Sequence, residues 1–354
     1  MTRPTFAYID LQALQHNAQW LKHQCKGSKL MCVVKADAYG HSLALVAPAL
    51  ADIADGFAVA HSAEGIELRA LNADVPILIL EGAFEPEDVE LAYQYRLTLA
   101  LTNIHQVNDY LARPSQQRPS VWLKVDTGMH RLGLSETQLT TLCESHQLPA
   151  DTVIFTHFSD ADTDAIKTRL QLAKLTELGR RYGLGMSAAN SPACLHYPES
   201  HLDWVRPGYA IYGGCPFDTL DPNLQPVMKV HTRIHSIRSL QSGECVGYGS
   251  TWCAQQPTRI ATLPIGYADG YPRSIKSATP VWLHNRSVPI VGRVSMDLIT
   301  IDVTQVPQAA EGDLVELWGD NIRLHTLAQH NDLSGYEIMA RIPKRLRRSS
   351  DWLL

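Results

Sequence analysis

The sequence predicts an α/β protein: a (β/α)8 barrel joined to a C-terminal, mostly β domain. Three observations predict it. Between about residue 10 and 215, eight short apolar runs alternate with amphipathic stretches. A proline-rich break, CPFDTLDPNLQP at 215–226, follows. Beyond it the texture changes to β-like runs and turn signals, with no long helical pattern until the last thirty residues. A doubly wound sheet is the structural alternative, but no G-x-G-x-x-G follows the first apolar run.

The elements follow in order. Asp10 is placed to cap a helix whose apolar positions are Leu11, Leu14, Ala18 and Leu21, one helical face. The eight runs are 30–34 (LMCVV), 57–60 (FAVA), 76–80 (PILIL), 97–101 (LTLAL), 121–125 (VWLKV), 152–156 (TVIFT), 185–189 (GMSAA) and one near 203–205. A second helical pattern runs from Asp164 through Ile166, Leu170, Ala173 and Leu178. In the second half, TRIHSIRSL, IATLPIGY, VPIVGRV, DLITIDV and GDLVELW read as strands. The expected division is a barrel domain over 1–220 and a mostly β domain over 221–354. The first few residues are expected to pack with the second domain.

Composition narrows the function. With 354 residues, 45% of them hydrophobic, 19% charged, and a net charge of −5, the chain reads as a globular protein without nucleic-acid affinity. The basic tail Lys344-Arg345-Leu346-Arg347-Arg348 reads as a solvated chain end. The amino terminus lacks the apolar core of a signal peptide, and no stretch approaches the ~20 apolar residues of a membrane span. Seven cysteines, none in C-x-x-C spacing, argue against a disulfide scaffold or a zinc site; reduced cytoplasmic thiols are expected.

In a (β/α)8 barrel, reactive groups collect where strands end at their carboxyl side. Run one is followed there by Lys35 and Tyr39; run five carries Lys124 near its end and is followed by Asp126 and Arg131. Run six is followed by His157, run seven by Asn190 and Ser191, and run eight by Arg206 and Gly208. Each alone has an ordinary explanation: a strand-end lysine snorkels to water, a lone histidine is a bonded core residue. Together they share a chemical theme. A phosphate site after strands seven and eight, a carbonyl above it and a lysine within reach describe pyridoxal phosphate bound as a Schiff base, with Arg206 available to the pyridine nitrogen. Metal chemistry compares poorly. Asp160, Asp162 and Asp164 precede a helix, where capping is the commoner role, and they lack the spacing of a calcium loop. No metal is expected.

These residues also carry a resemblance. VVKADAYGH, LKVDTGMHRLG, THFSDAD, ANSPA, RPGYAIYG, VGYGSTW, LPIGYADGYPR and VGRVSMD resemble, in order and spacing, the motifs of bacterial alanine racemases. The match spans essentially the whole chain. The resemblance implies a cytoplasmic, pyridoxal-phosphate-dependent isomerase that interconverts L- and D-alanine, for peptidoglycan or for alanine catabolism. A broader racemase acting on serine or basic amino acids is the alternative. It implies a homodimer with shared active sites and no membrane or nucleic-acid partner.

Carried over position by position, Lys35 is the Schiff-base lysine and one base, and Tyr248 is the second base, delivered to the other subunit. Arg131 contacts the cofactor's phenolic oxygen and the substrate carboxylate. His157 bridges Tyr248 and Arg206. Tyr39, Ser191, Gly208, Tyr209 and Tyr336 surround the phosphate, with Asn190 beside it. Tyr267 and Met296 line the substrate entrance from the partner, and Lys124 is a position for carbamylation. Ser295 stands where some relatives have cysteine, and the closing ARIPKRLRR is a diverged form of the family's ending.

Overall fold

The computed structural model describes residues 3–71, 74–146 and 148–352. After strand β1 (Phe6–Ile9), eight parallel strands close into a barrel: β2 (Lys29–Val33), β3 (Gly56–Val59), β4 (Ile77–Ile79), β5 (Thr98–Leu101), β6 (Val121–Lys124), β7 (Val153–Phe155), β8 (Gly185–Ser187) and β9 (Trp204–Val205). β9 pairs back onto β2 through Leu30 and Val205. The predicted (β/α)8 barrel with a mostly β C-terminal domain is therefore the observed architecture, and each of the eight apolar runs contributes one barrel strand.

The runs are continuous in apolar character because both strand faces are buried, one in the barrel and one under helices. Met31, Val33, Ala58, Leu78, Ala100, Trp122, Val153 and Phe155 form one cluster, with Trp122 edge-on to Phe155 and Trp204. Their alternate neighbours, such as Leu30, Cys32, Phe57, Ile77, Leu99 and Leu123, belong to a second cluster shared with the helices. Each fully buried side chain of this kind contributes about 1.5–3 kcal/mol relative to exposure.

Helix Leu11–Gln24 begins as expected: the Asp10 side chain accepts from Ala13 N, and Leu14, Ala18 and Leu21 are buried. Helix Ala165–Tyr182 is also present and capped by Asp164, but it buries a different face. Thr168, Gln171, Leu172, Leu175, Leu178 and Gly179 turn inward, while Ile166 and Leu170 are 75% and 61% exposed. The helix carries two apolar stripes, and only the one bearing Leu172 and Leu175 meets the barrel. Asp160 pairs with Lys167 at 2.5 Å, so the acidic segment serves helix start and surface pairing.

The C-terminal strands are β10 (Met228–Arg233), β11 (Ser236–Leu240), β12 (Cys245–Val246), β13 (Trp252–Cys253), β14 (Thr258–Leu263), β15 (Pro280–Leu283), β16 (Arg286–Val291), β17 (Ile299–Asp302), β18 (Leu314–Trp318) and β19 (Arg347–Ser349). A nine-stranded sheet runs β11-β14-β17-β16-β15-β18-β10-β1-β19, so the first strand lies in the second half's sheet. β12 and β13 form a separate hairpin.

Two expectations are corrected. Cys245 and Cys253 face each other across that hairpin and are disulfide-linked; the other five cysteines are unpaired. No sequence motif signals this pair, because its proximity depends on the hairpin turn. The basic tail is solvated only in part: Lys344, Arg345 and Arg347 are exposed, but the tail is also tied down. Arg345 pairs with Asp269 at 2.9 Å, and Arg348 reaches Asp37 at 2.5 Å, far back in the barrel half.

Candidate active site

Val33 ends β2, and Lys35 opens a left-handed turn. Ala36, Asp37, Ala38 and Tyr39 have φ of 54, 53, 55 and 51°. For residues with a Cβ this conformation costs roughly 1–2 kcal/mol each. Four contacts offset it. Ala36 N donates to Glu64 Oε1 (2.7 Å), Leu43 N to Asp37 Oδ1 (2.7 Å), and Arg348 to Asp37 Oδ2 (2.5 Å) and the Gly40 carbonyl (3.2 Å). Gly40 (φ 76°) completes the turn; a Cβ there would sit 2.2 Å from the Met339 carbonyl oxygen.

The turn borders a cavity of about 650 Å³ at the carboxyl ends of the barrel strands. Of the residues singled out in the sequence, eleven line it: Lys35, Tyr39, Lys124, Arg131, His157, Asn190, Ser191, Arg206, Gly208, Tyr209 and Tyr336. Strand parity explains the convergence. Lys124 shares its face with Trp122, and one further alternation along each strand carries Lys35 from Val33, His157 from Phe155 and Arg206 from Trp204.

Tyr248, Tyr267 and Met296 do not line this cavity; they are 74%, 39% and 53% exposed on the C-terminal half. Tyr267 and Met296 are neighbours there, since Tyr267 N donates to the Ser295 carbonyl and Ala268 N to the Met296 carbonyl. Glu81, Ser334 and Glu337 also line the cavity and were not singled out. Glu81 lies just beyond β4, so the strand-end rule applied to the third barrel strand finds it. Ser334 and Glu337 arrive from the C-terminal half, for which no local signal exists.

Arg206 is buried and satisfied. Its guanidinium donates to Ser187 Oγ, to the Thr156 carbonyl at 2.6 Å and to the Ala188 carbonyl at 3.3 Å, and it lies over the Phe155 ring. Burial lowers its pKa to about 10, which leaves it protonated at neutral pH. Burial and then the Arg206, Lys124, Arg131 and Lys35 charges push His157 down to about 3. The imidazole is therefore neutral at neutral pH, and positive charge around it resides on the surrounding Arg and Lys groups. Among the described residues no hydrogen bond joins His157 to Arg206. Burial, with Arg131, Arg206 and Lys35 against Glu81, lowers Lys124 to about 8. Burial pushes Tyr39 up to about 12, so its hydroxyl remains a donor.

The donor set suits an anionic group carrying a carbonyl. Lys35, Lys124, Arg131 and Arg206 face only Glu81 and Glu337 among the carboxylates of the wall. Next to them Ser191 Oγ accepts from Gly208 N and Ala210 N, both at 3.1 Å. A Cβ at Gly208 would lie 2.5 Å from Tyr39 Oη and would displace that ring. Tyr209 and Tyr336 stack at 3.9 Å to close that end. Pyridoxal phosphate fits: an amine for its aldehyde, cations and hydroxyls for its charged groups.

Known proteins are similar to this chain along its whole length. Family models for the alanine racemase N-terminal domain and C-terminal domain match residues 9–216 and 227–350. An alanine racemase of Alteromonas mediterranea is 40% identical over 358 residues, covering 100% of each chain. The solved biosynthetic alanine racemase from Pseudomonas aeruginosa is similar with a TM-score of 0.94 and 39% identity, over 98% of this chain and 99% of its own. Alanine racemase from Bartonella henselae, solved with covalently bound pyridoxal phosphate, has a TM-score of 0.90 and 29% identity over 98% and 99% of the two chains.

Proposed function

The chain belongs to the alanine racemase family, and from that premise we propose that it interconverts L- and D-alanine with pyridoxal phosphate held in the barrel cavity. The observation that carries the reading is the convergence of Lys35, Arg131, His157, Arg206 and the Ser191–Gly208–Tyr209 cradle on one wall. When bound, the cofactor supplies the electron sink that makes the α-proton of alanine acidic.

The chain's residues do the rest. Lys35 Nζ would hold the cofactor in the absence of substrate and, as a free amine, would take or return a proton on one face of the substrate. The partner's Tyr248 serves the opposite face through its hydroxyl, in a homodimer whose sites are shared. Tyr39, Ser191, Gly208, Tyr209 and Tyr336 hold the phosphate, with Asn190 beside them. Arg206, protonated at neutral pH and already bonded to Ser187 and two carbonyls, would hold the cofactor's pyridine nitrogen without giving up a proton to it. Arg131 orients the carboxylate. Lys124, with its pKa lowered to about 8, has a neutral fraction near neutral pH that can take up carbon dioxide, releasing a proton, as a carbamate beside Arg131. Tyr267 and Met296 serve the partner's entrance. Their exposure with that of Tyr248, and the bare apolar residues Ile166 and Leu170, supports a dimer. We place the enzyme in the cytoplasm. Among the described residues no helix is long and apolar enough to cross a membrane.

The test is incubation of cofactor-loaded protein with L-alanine in deuterated water, followed by chiral separation and mass analysis. D-Alanine carrying α-deuterium is expected. Bound cofactor with neither D-alanine nor α-deuteration would exclude the reading.

A further inference from the structure

The loop that carries Tyr248 is closed at its base by Cys245 and Cys253, paired across β12 and β13. Cys245 is exposed and Cys253 half-exposed, whereas Cys25, Cys32, Cys194 and Cys215 are buried. The hairpin has other restraints besides the cross-link. Gly243 N donates to the Ala254 carbonyl (2.7 Å), Ala254 N to the Glu244 carbonyl (2.9 Å), and buried Val246 packs on Ile260 and Val291.

The loop itself spans residues 247–251, between β12 and β13. Gly247, Gly249 and Ser250 have φ of 71, 72 and 47°, and the turn lies outside the nine-stranded sheet. Such a loop gains conformations when its closure is released, and Tyr248 sits at its second position. Exposed disulfides are the readily reduced ones, and in reducing compartments a disulfide is usually transient or redox-sensing.

We propose that Cys245 and Cys253 are a reversible dithiol–disulfide modification site whose cross-link pre-organises the Tyr248 loop, so that thiol redox state tunes delivery of Tyr248 to the partner's cavity. The inference rests on the proposed role of Tyr248. The oxidant is a low-molecular-weight disulfide such as glutathione disulfide. One thiolate of the pair attacks it to form a mixed disulfide and expels one glutathione. The second thiolate then displaces the other glutathione as the protein S–S bond forms. Two electrons and two protons pass from the pair to glutathione, and reduction runs the same steps backward.

The experiment equilibrates the cofactor-loaded protein in glutathione buffers from fully reduced to fully oxidised. Differential alkylation with mass mapping follows residues 245 and 253, and hydrogen exchange follows the amides of 247–251. The pair is expected to cycle reversibly, with faster amide exchange when reduced. In single-turnover experiments, α-proton exchange from the enantiomer whose α-proton faces Tyr248 should fall about three- to tenfold on reduction, as lost pre-organisation implies. Exchange from the other enantiomer, whose α-proton faces Lys35, should fall less. The double variant C245S/C253S should behave as the reduced form in every buffer. Thiols that stay in one state across the buffers overturn the proposal, as do equal amide and α-proton exchange in both states. Should the protein leave alanine untouched, the racemase reading fails on that result alone, while the alkylation and amide measurements still decide whether the pair cycles and restrains the loop.

Discussion

Burial denies His41 and His157 the protons they would take in water. His41 is held at about 4, chiefly by burial, with the Tyr39 and Ala38 carbonyls and Asp37 opposing and the Arg348 charge adding to the fall. His157 is held at about 3. An unfolded chain binds these protons from about pH 6.5 downward, while the native chain refuses them until about 4 and about 3. Stability is therefore complete above 6.5 and is lost as pH falls through that window, at about 1.4 kcal/mol per pH unit for each imidazole. His41 stacks on Tyr212 at 4.4 Å, and Phe preserves that stack. Urea unfolding of the apo protein between pH 5 and 6.5 should show the His41→Phe slope reduced by about one proton's worth. An unchanged slope would assign the acid sensitivity elsewhere. At this scale much of the site was legible: Lys35, Lys124, His157 and Arg206 follow barrel runs at interior parity, so the strand-end rule found them. Glu81 obeys the same rule two residues beyond β4 and lines the same cavity.

The left-handed turn after Lys35 is the element on which presentation of Tyr39 depends. Its contacts come from Glu64, Asp37 and the remote Arg348, whose side chain is only 10% exposed. Arg348→Ala should cost about 2 kcal/mol of apo stability, the range for a charge-assisted bond in a partly buried place, and should weaken cofactor retention. Denaturant titration and cofactor fluorescence measure the two effects; a variant with wild-type values in both would show that the turn holds itself. Gly40→Ala should cost at least as much, since φ is positive there and the new Cβ meets the Met339 carbonyl. VVKADAYGH marks the lysine and the tyrosine but gives no sign of the turn's handedness, which is imposed by contacts from elsewhere. Helix Ala165–Tyr182 teaches the same lesson. Its spacing fixes the helix and its cap, yet two apolar stripes compete, and only the barrel surface chooses the one with Leu172 and Leu175.

Across the whole molecule, the two halves are stitched by partners distant in sequence. β1 lies between β10 and β19, and Arg348 meets Asp37 across 311 positions. Pattern reading sees barrel runs and β runs because each is local. It cannot see that the basic tail returns to the first barrel loop, nor that Cys245 and Cys253 meet. The separation of Lys35, inside the cavity, from Tyr248, exposed on the other half, matters most for function. The two-base reaction we propose draws on two chains, each lending Tyr248 to the other. Complementation tests this directly. Lys35→Ala and Tyr248→Phe chains, each nearly inactive alone, are unfolded, mixed in equal amounts, refolded with pyridoxal phosphate and assayed for racemisation. Random pairing makes about half of the dimers mixed, each with one intact site, so about a quarter of wild-type activity should return. Activity no greater than the average of the two parent variants, in a mixture shown to contain mixed dimers, would contradict the shared site.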